Sequence, residues 1–266
     1  MKKEFNNIAI VVKPNLTNSK EFAEEIKNKL KKIKLESKII NIKKLDDELK
    51  PGIFDLIIAI GGDGTILAIS RNIDNRTPIL GILIGGRGIL SEVIKEEISQ
   101  AFELLKKKEY KLEEHIRIKI STENNEFPPA LNEAYIVREG YNVTPTYNIT
   151  TKDGLELNQR MDGIMISTPT GSTGHSYTLG SPVIAEDLEA MVITPVCPIS
   201  LLRPIVLSAG KIEIRSNKPS VIAVDGQEVF KAKENTVIRI DKHEKTIMFL
   251  RFSNNKFKQL SKLGFR

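Results

Sequence analysis

An apolar run, Ile57-Ile58-Ala59-Ile60, ends abruptly in Gly61-Gly62-Asp63-Gly64-Thr65. Four aliphatic residues in succession read as a strand buried on both faces, the kind found in parallel sheets. The following Thr65-Ile66-Leu67-Ala68-Ile69 reads as the opening of a helix. The chain here is therefore strand, glycine turn, helix. Three glycines in four residues let the backbone fold tightly and let a phosphate approach the main-chain N–H groups without meeting a Cβ. The helix N-terminus would face the same anion. Asp63 is the one side chain in the turn able to act as a base or to orient a metal. The plainer alternative is a strand-to-helix turn with a capping Asp. The full five-residue string after a buried-type strand favours phosphate chemistry.

The length of 266 residues fits one large domain or two modest ones, with a real core. The longest apolar stretch, near Ile53 to Ile60, is far shorter than a membrane span. The opening Met1-Lys2-Lys3-Glu4-Phe5-Asn6-Asn7 leads into a strand and has no secretory apolar segment. A single cysteine, Cys197, excludes an intrachain disulfide and a cysteine-based zinc site; its prolyl and valyl neighbours suggest a packing role. A cytoplasmic enzyme is the class expected. The net charge of +6 raises nucleic acid as a partner, but the excess is 29 Lys and 11 Arg scattered along the chain, without interleaved aromatics. A solvated basic surface fits better, and its field also suits an anionic substrate. Neither nucleic acid nor a membrane is expected as a partner.

Two regimes follow one another. Asn7 to Val12, Lys38 to Ile42, Leu56 to Ile60 and Pro78 to Ile84 are strand candidates. They alternate with a helix over Lys20 to Ile33 and a second long helix over Glu92 to Lys107, the latter with Ile94, Ile98, Ala101, Phe102 and Leu105 on one face. That alternation predicts a Rossmann-like α/β domain over residues 1–108, with the glycine turn in it. From His115 to about Asp241 helical periodicity largely disappears. His115-Ile116-Arg117-Ile118-Lys119-Ile120, Lys211 to Arg215 and Val237 to Ile240 alternate as strands, and Asp153-Gly154 and Asp225-Gly226 read as hairpin turns. An all-β C-terminal domain over residues 109–244 is expected, and the tail, 245–266, can return to the first domain through strand-like Thr246 to Phe252.

A second informative stretch runs from Asp162 to Ser176, where an apolar strand ends in Ser167-Thr168-Pro169-Thr170-Gly171-Ser172-Thr173-Gly174-His175-Ser176. Small hydroxyls and glycines offer many donors and acceptors with little bulk, which suits a ribose or an adenine. The alternative is a hydroxyl-rich loop of no special role. Asn132-Glu133 at a strand start is ordinary, Asp225-Gly226-Gln227 is most economically a hairpin, and Arg160 with Asp162 reads as a surface pair. His115 and His243 lie in alternating strands and are given no chemistry. The P-loop and protein-kinase signatures are absent.

Taken in order, Gly61-Gly62-Asp63-Gly64-Thr65, Asn132-Glu133, Arg160-Met161-Asp162-Gly163, Thr168-Pro169-Thr170-Gly171-Ser172-Thr173, Arg203-Pro204 and Asp225-Gly226-Gln227 resemble the NAD kinase family. The resemblance implies phosphoryl transfer from ATP, polyphosphate or another donor to the 2′-hydroxyl of the adenosine ribose of NAD, giving NADP. It implies Asp63 as general base and Gly61, Gly62, Gly64 and Thr65 as the loop at the donor phosphates. It implies Asn132, Glu133, Arg160, Asp162, Thr173, Gly174, His175, Ser176, Tyr177, Thr178 and Gln227 as NAD-binding residues. Mg²⁺ would arrive with the donor phosphates rather than in a protein cage, and the active form would be a homo-oligomer, dimer or tetramer. Four residues depart from the family pattern: Leu83 and Ile89 where an Asn and a Phe are usual, and Gly174-His175 in place of Ala-Tyr. The first motif is shared with diacylglycerol and sphingosine kinases, so a lipid kinase is the runner-up, followed by a non-enzymatic dinucleotide sensor and a nucleic-acid-binding module.

Overall fold

Uninterrupted aliphatic strands need cover on both faces, and the N-terminal strands have it. The computed structural model describes residues 4–13, 19–73, 76–85, 88–252 and 261–264. Within them β1 (Asn7–Val12), β2 (Glu36–Asn41), β3 (Leu56–Ile60) and β4 (Ile79–Leu83) form parallel neighbours in the order β2-β1-β3-β4. Helices α1 (Ser19–Lys32), α2 (Leu45–Glu48), α3 (Asp63–Asn72) and α4 (Ile98–Lys106) lie between or after these strands. Ile8, Ile10, Ile58, Ile60, Leu80 and Ile82 share one core cluster with Phe22, Ile26 and Leu30 of α1 and Ile98, Phe102 and Leu105 of α4. Ala9, Val11, Ile57 and Ala59, which point the other way, are buried too. On that face Gly81 of β4 makes room for α3: a Cβ there would fall 2.7 Å from Ile66 Cδ1.

The helix expected over Glu92 to Lys107 is shorter. Val93–Ile94 form a strand, β5, paired with β4, and a single 3₁₀ turn at Lys95–Glu97 leads into α4. The reason is in the carboxylates. Glu92 accepts from the amide of Phe252 at 3.0 Å, and Glu97 reaches back to the amide of Ile94 at 3.1 Å, so residues 92–94 are tied down as extended chain before the helix begins. The strand read over His115 to Ile120 is also divided. β6 (Lys111–His115) stops at His115 and β7 starts at Ile118. Strict alternation would have exposed His115 and Arg117, yet His115, Ile116, Arg117 and Ile118 are all buried where the chain passes from one sheet to the next.

Beyond this break come β7 (Ile118–Ser121), β8 (Glu126–Ala130), β9 (Glu133–Arg138), β10 (Thr146–Thr151), β11 (Glu156–Arg160) and β12 (Gly163–Ser167). After the short α5 (His175–Thr178) follow β13 (Ala190–Val196), β14 (Ile205–Ser208), β15 (Ile212–Ser216), β16 (Ser220–Val224), β17 (Glu228–Ala232) and β18 (Ile238–Lys242). They make two six-stranded sheets with antiparallel pairing, β11-β10-β15-β18-β7-β8 and β14-β13-β12-β9-β16-β17. The alternating burial of β7, β15 and β16 is that of sheets with one inner face. Ile118, Ile120, Ile149 and Ile214 of one sheet share a core with Ile136, Ile164, Ile166 and Ile222 of the other. Finally β19 (Ile247–Arg251) joins the first sheet between β4 and β6, making it seven-stranded.

The chain forms two compact units, Met1–Glu114 with Ile247–Arg266, and His115–Thr246. Among the described residues no helix is long and apolar enough to cross a membrane. Cys197 is exposed, with φ +47° just past the end of β13, so the packing role read for it does not hold. Gly86 and Arg87 in the glycine turn after β4, Met1 to Lys3, and residues 253–260 and 265–266 of the tail lie outside the described residues.

Candidate active site

In the first unit the turn after β3 is built as its glycines allow. Gly61 has φ +151°, a conformation open to glycine and rarely adopted by other residues, and its amide donates to Ile82 O at 3.0 Å. Gly62 is the N-cap of α3 in extended conformation, and Thr65 N donates back to its carbonyl at 3.0 Å. Asp63 is thus the first helical residue rather than the cap. Its side chain turns away from its own helix. Oδ2 accepts from the amide of Ile89 and Oδ1 from that of Leu90, each at 2.9 Å. Both oxygens are gripped, so the carboxylate plane is fixed while further lone pairs stay available. Gly88 lets the loop close over it: a Cβ there would lie 2.7 Å from Leu83 Cδ1, 3.0 Å from Ser91 Oγ and 3.5 Å from Asp63 Oδ1. Thr65 is buried and Gly64 exposed.

In the second unit the structure brings Asn132, Glu133 and Gly174 together. Glu133 opens β9 opposite Ser167, the last residue of β12. The chain then folds back, with Thr168 N donating to Asn132 O at 2.9 Å and Thr168 Oγ1 to Leu131 O at 2.5 Å. Gly171 lies so close to this strand start that a Cβ would fall 2.1 Å from Asn132 O. From Gly174 a Cβ would be 3.6 Å from Asn132 Nδ2 and 3.8 Å from Glu133 Oε2. Asn132 Oδ1 and Glu133 Oε2 are buried without a hydrogen-bond partner. Buried polar atoms are usually paired, so these two mark a place where a ligand's polar groups can complete the bonding. Glu133 is 6 % exposed. Burial first, and the nearby Asp225 carboxylate second, push its carboxyl from 4.5 up to about 8.

Asp225 is the residue that the hairpin reading undervalued. With Gly226 it makes the turn between β16 and β17, at φ +49° and +63°. In addition its buried carboxylate accepts from the amides of Leu131, Asn132 and Glu133 at 3.1, 2.8 and 3.1 Å. It shapes the Asn132–Glu133 corner from behind, while Gln227 stays exposed in the same turn.

The hydroxyls of the second motif mostly fold the motif itself. Thr173 Oγ1 donates to Thr170 O at 3.0 Å, Ser176 Oγ to Gly171 O at 2.9 Å, Thr178 Oγ1 to His175 O at 2.7 Å, and Ser172 Oγ to Pro169 O at 2.6 Å. His175 and Tyr177 are exposed, and His175 stands edge-on to Tyr135 with centroids 5.6 Å apart. Arg160 and Asp162 are not a pair. Asp162 is held in a fork by Arg138, at 3.1 Å from Nε and 3.2 Å from Nη2, and Arg160 is exposed at the end of β11. They precede β12, whereas Asn132 and Glu133 adjoin its far end; five strand residues separate the two places, about 16 Å.

Residues 2–110 match the family described as the ATP-NAD kinase N-terminal domain, and residues 131–252 match the ATP-NAD kinase C-terminal domain. The chain belongs to the NAD kinase family. It is 34% identical over 264 residues to the NAD kinase of Clostridium beijerinckii, covering 94% of this chain and 92% of that one. Over 206 residues it is 38% identical to the NAD kinase of Thermococcus gammatolerans, covering 75% and 74%. Among solved structures it is similar to an NAD kinase from Archaeoglobus fulgidus in complex with ATP, with a TM-score of 0.79, 27% identity and 97% of each chain covered. The yeast NADH kinase complexed with NADH shares the fold, with a TM-score of 0.86 at 22% identity over 100% of this chain and 89% of that one. In this member of the NAD kinase family the sequence reading missed two things: the amides of Ile89 and Leu90 that hold Asp63, and the part played by Asp225. Gly88 was the only local signal for the first.

Proposed function

We propose that the chain transfers the terminal phosphoryl group of ATP to the 2′-hydroxyl of the adenosine ribose of NAD, with Asp63 as general base. One observation carries this reading: at the glycine turn after a buried parallel strand, a carboxylate is aimed by two backbone amides. The proton passes from the 2′-oxygen to Asp63 as that oxygen bonds to the γ-phosphorus. The bond from γ-phosphorus to the bridging oxygen breaks, and ADP leaves. Such a transfer asks the protein for positioning and charge stabilisation more than covalent chemistry. Gly61, Gly62 and Gly64 receive the donor phosphates, with Thr65 behind them in the first turn of α3.

In the second unit Asn132 and Glu133 hold the dinucleotide. With a carboxyl pushed up to about 8, Glu133 keeps its proton at neutral pH and donates to a ligand oxygen, while Asn132 Oδ1 accepts. Arg160, Asp162, Gln227 and the segment Thr173 to Thr178 are proposed to contact NAD as the family resemblance implies. The donor enters as its magnesium complex and the enzyme acts as a dimer or tetramer, as the resemblance implies; action in the cytoplasm is proposed from the sequence composition.

The test is direct. Purified protein is incubated with NAD, ATP and Mg²⁺, and NADP is read with an NADP-specific dehydrogenase. NADP formation supports the proposal. Its absence, with phosphorylation of diacylglycerol or sphingosine instead, overturns it. Polyphosphate and NADH as alternative substrates, EDTA, and light scattering settle donor, acceptor, metal need and oligomer size.

A further inference from the structure

The loop that holds Asp63 is itself held from behind. Three successive carbonyls, those of Ile89, Leu90 and Ser91, accept from cationic side chains. Arg251 Nη1 donates to Leu90 O at 2.7 Å from a buried position at the end of β19. Lys262 Nζ donates to Ile89 O at 2.9 Å and also to Ser91 O. The carbonyl of Ile89 and the amide of Leu90 belong to one peptide group. Lys262 therefore bonds one end of that group while Asp63 Oδ1 accepts from its other end at 2.9 Å. A cation on the carbonyl oxygen polarises the peptide and strengthens its N–H as a donor. It also fixes the plane of the peptide, and so the direction from which Asp63 is gripped.

From this relay we infer that Lys262, far along the chain from the glycine turn, is a positioning residue for Asp63, acting through the Ile89–Leu90 peptide. The inference rests on Asp63 being the base. Lys262 touches no substrate in this scheme, so its loss lowers the rate of transfer and leaves substrate binding unchanged.

Lys262 is exposed, so its substitution leaves the core intact. In Lys262→Met, kcat is expected to fall on the order of tenfold, the size of one charge-assisted hydrogen bond, with the KM for NAD and ATP unchanged. Lys262→Arg, which keeps a donor and the charge, recovers part of the loss. Amide hydrogen exchange gives a readout independent of chemistry: the Leu90 amide exchanges faster in Lys262→Met than in wild type. A Leu90 amide as protected as before overturns the relay. Faster exchange with unchanged kcat overturns its share in the reaction. Asp63→Asn measured alongside separates the two ideas. If that variant stays active, the reading of Asp63 as base falls, and the relay is still decided by Leu90 exchange alone.

Discussion

The amide of Glu133 donates to the carboxylate of Asp225 at 3.1 Å, and this places two buried acids at one corner of the β sandwich. Burial first, and the neighbouring Asp225 charge second, keep the Glu133 carboxyl protonated up to about 8. In the unfolded chain it ionises at its ordinary 4.5. Between those values the folded state keeps a proton that the unfolded state has lost. Stability from this group is therefore full below 4.5 and is lost as pH rises towards 8. Glu133→Gln removes that dependence. Its melting temperature is expected to gain on wild type progressively across this window, while NAD binding at neutral pH changes little, because the glutamine N–H donates where the carboxyl O–H did. Thermal unfolding at several pH values checks the first part and titration with NAD the second. A difference in melting temperature that does not change with pH refutes the account.

Asp63→Asn keeps the shape of the side chain and removes the proposed base. Turnover of NAD is expected to drop by about 10² to 10⁴, the usual contribution of a proton-transfer group. NAD and ATP dissociation constants should change far less. Turnover within a few-fold of wild type would show that another group takes the proton.

The two glycines before Asp63 are expected to behave differently. Gly61 has φ +151°, whereas Gly62 has φ −96°, which any residue adopts. Gly61→Ala should cost stability, about 1 to 3 kcal/mol of backbone strain, seen in chemical denaturation. Gly62→Val should leave the fold alone and raise the KM for the phosphate donor, which is proposed to lie against this backbone. Equal effects of both changes on stability would contradict the geometry.

Gly171→Ala puts a methyl 2.1 Å from Asn132 O, a backbone atom in a strand start fixed from behind by Asp225. Neither side can yield without breaking hydrogen bonds. Loss of NAD dependence together with a lowered melting temperature is expected. A variant indistinguishable from wild type in both would mean that the loop and the strand are not packed as described.

Asp162→Asn tests whether the Arg138 fork is structural. The pair is partly buried and two-pronged, so its loss should cost about 1 kcal/mol, read in denaturant unfolding. If NAD affinity falls while stability is unchanged, Asp162 belongs to ligand binding alone.

Much of the fold was legible because burial leaves its mark on side chains. Leu56 to Ile60 could only be a covered strand, and Ile98, Ala101, Phe102 and Leu105 marked the inner face of α4. What escaped was whatever is done by backbone or by residues distant in sequence. Asp63 is held by main-chain amides 26 and 27 positions away, which no side-chain pattern announces. Asn132-Glu133 looked ordinary because its burial is completed by Asp225, 92 positions beyond Glu133. Hydroxyl density between Thr168 and Ser176 was read as ligand-facing, yet most of those hydrogens close the loop on itself. Alternation failed at His115 to Ile118, where a change of sheet buries four residues in a row.

Strand β19 lies between β4 and β6, although β4 (Ile79–Leu83) leaves the ribosome well before β19 (Ile247–Arg251), 168 residues separating their starts (247 − 79). Until Ile247 to Arg251 emerge, the Ile79 end of β4 carries an open edge and β6 has no place in the sheet. The whole sandwich must be synthesised, and can fold, before the sheet that presents Asp63 is closed. A nascent chain released early thus holds the glycine turn without Arg251 behind the loop that grips Asp63, and the order of synthesis itself delays catalytic competence until β19 has emerged.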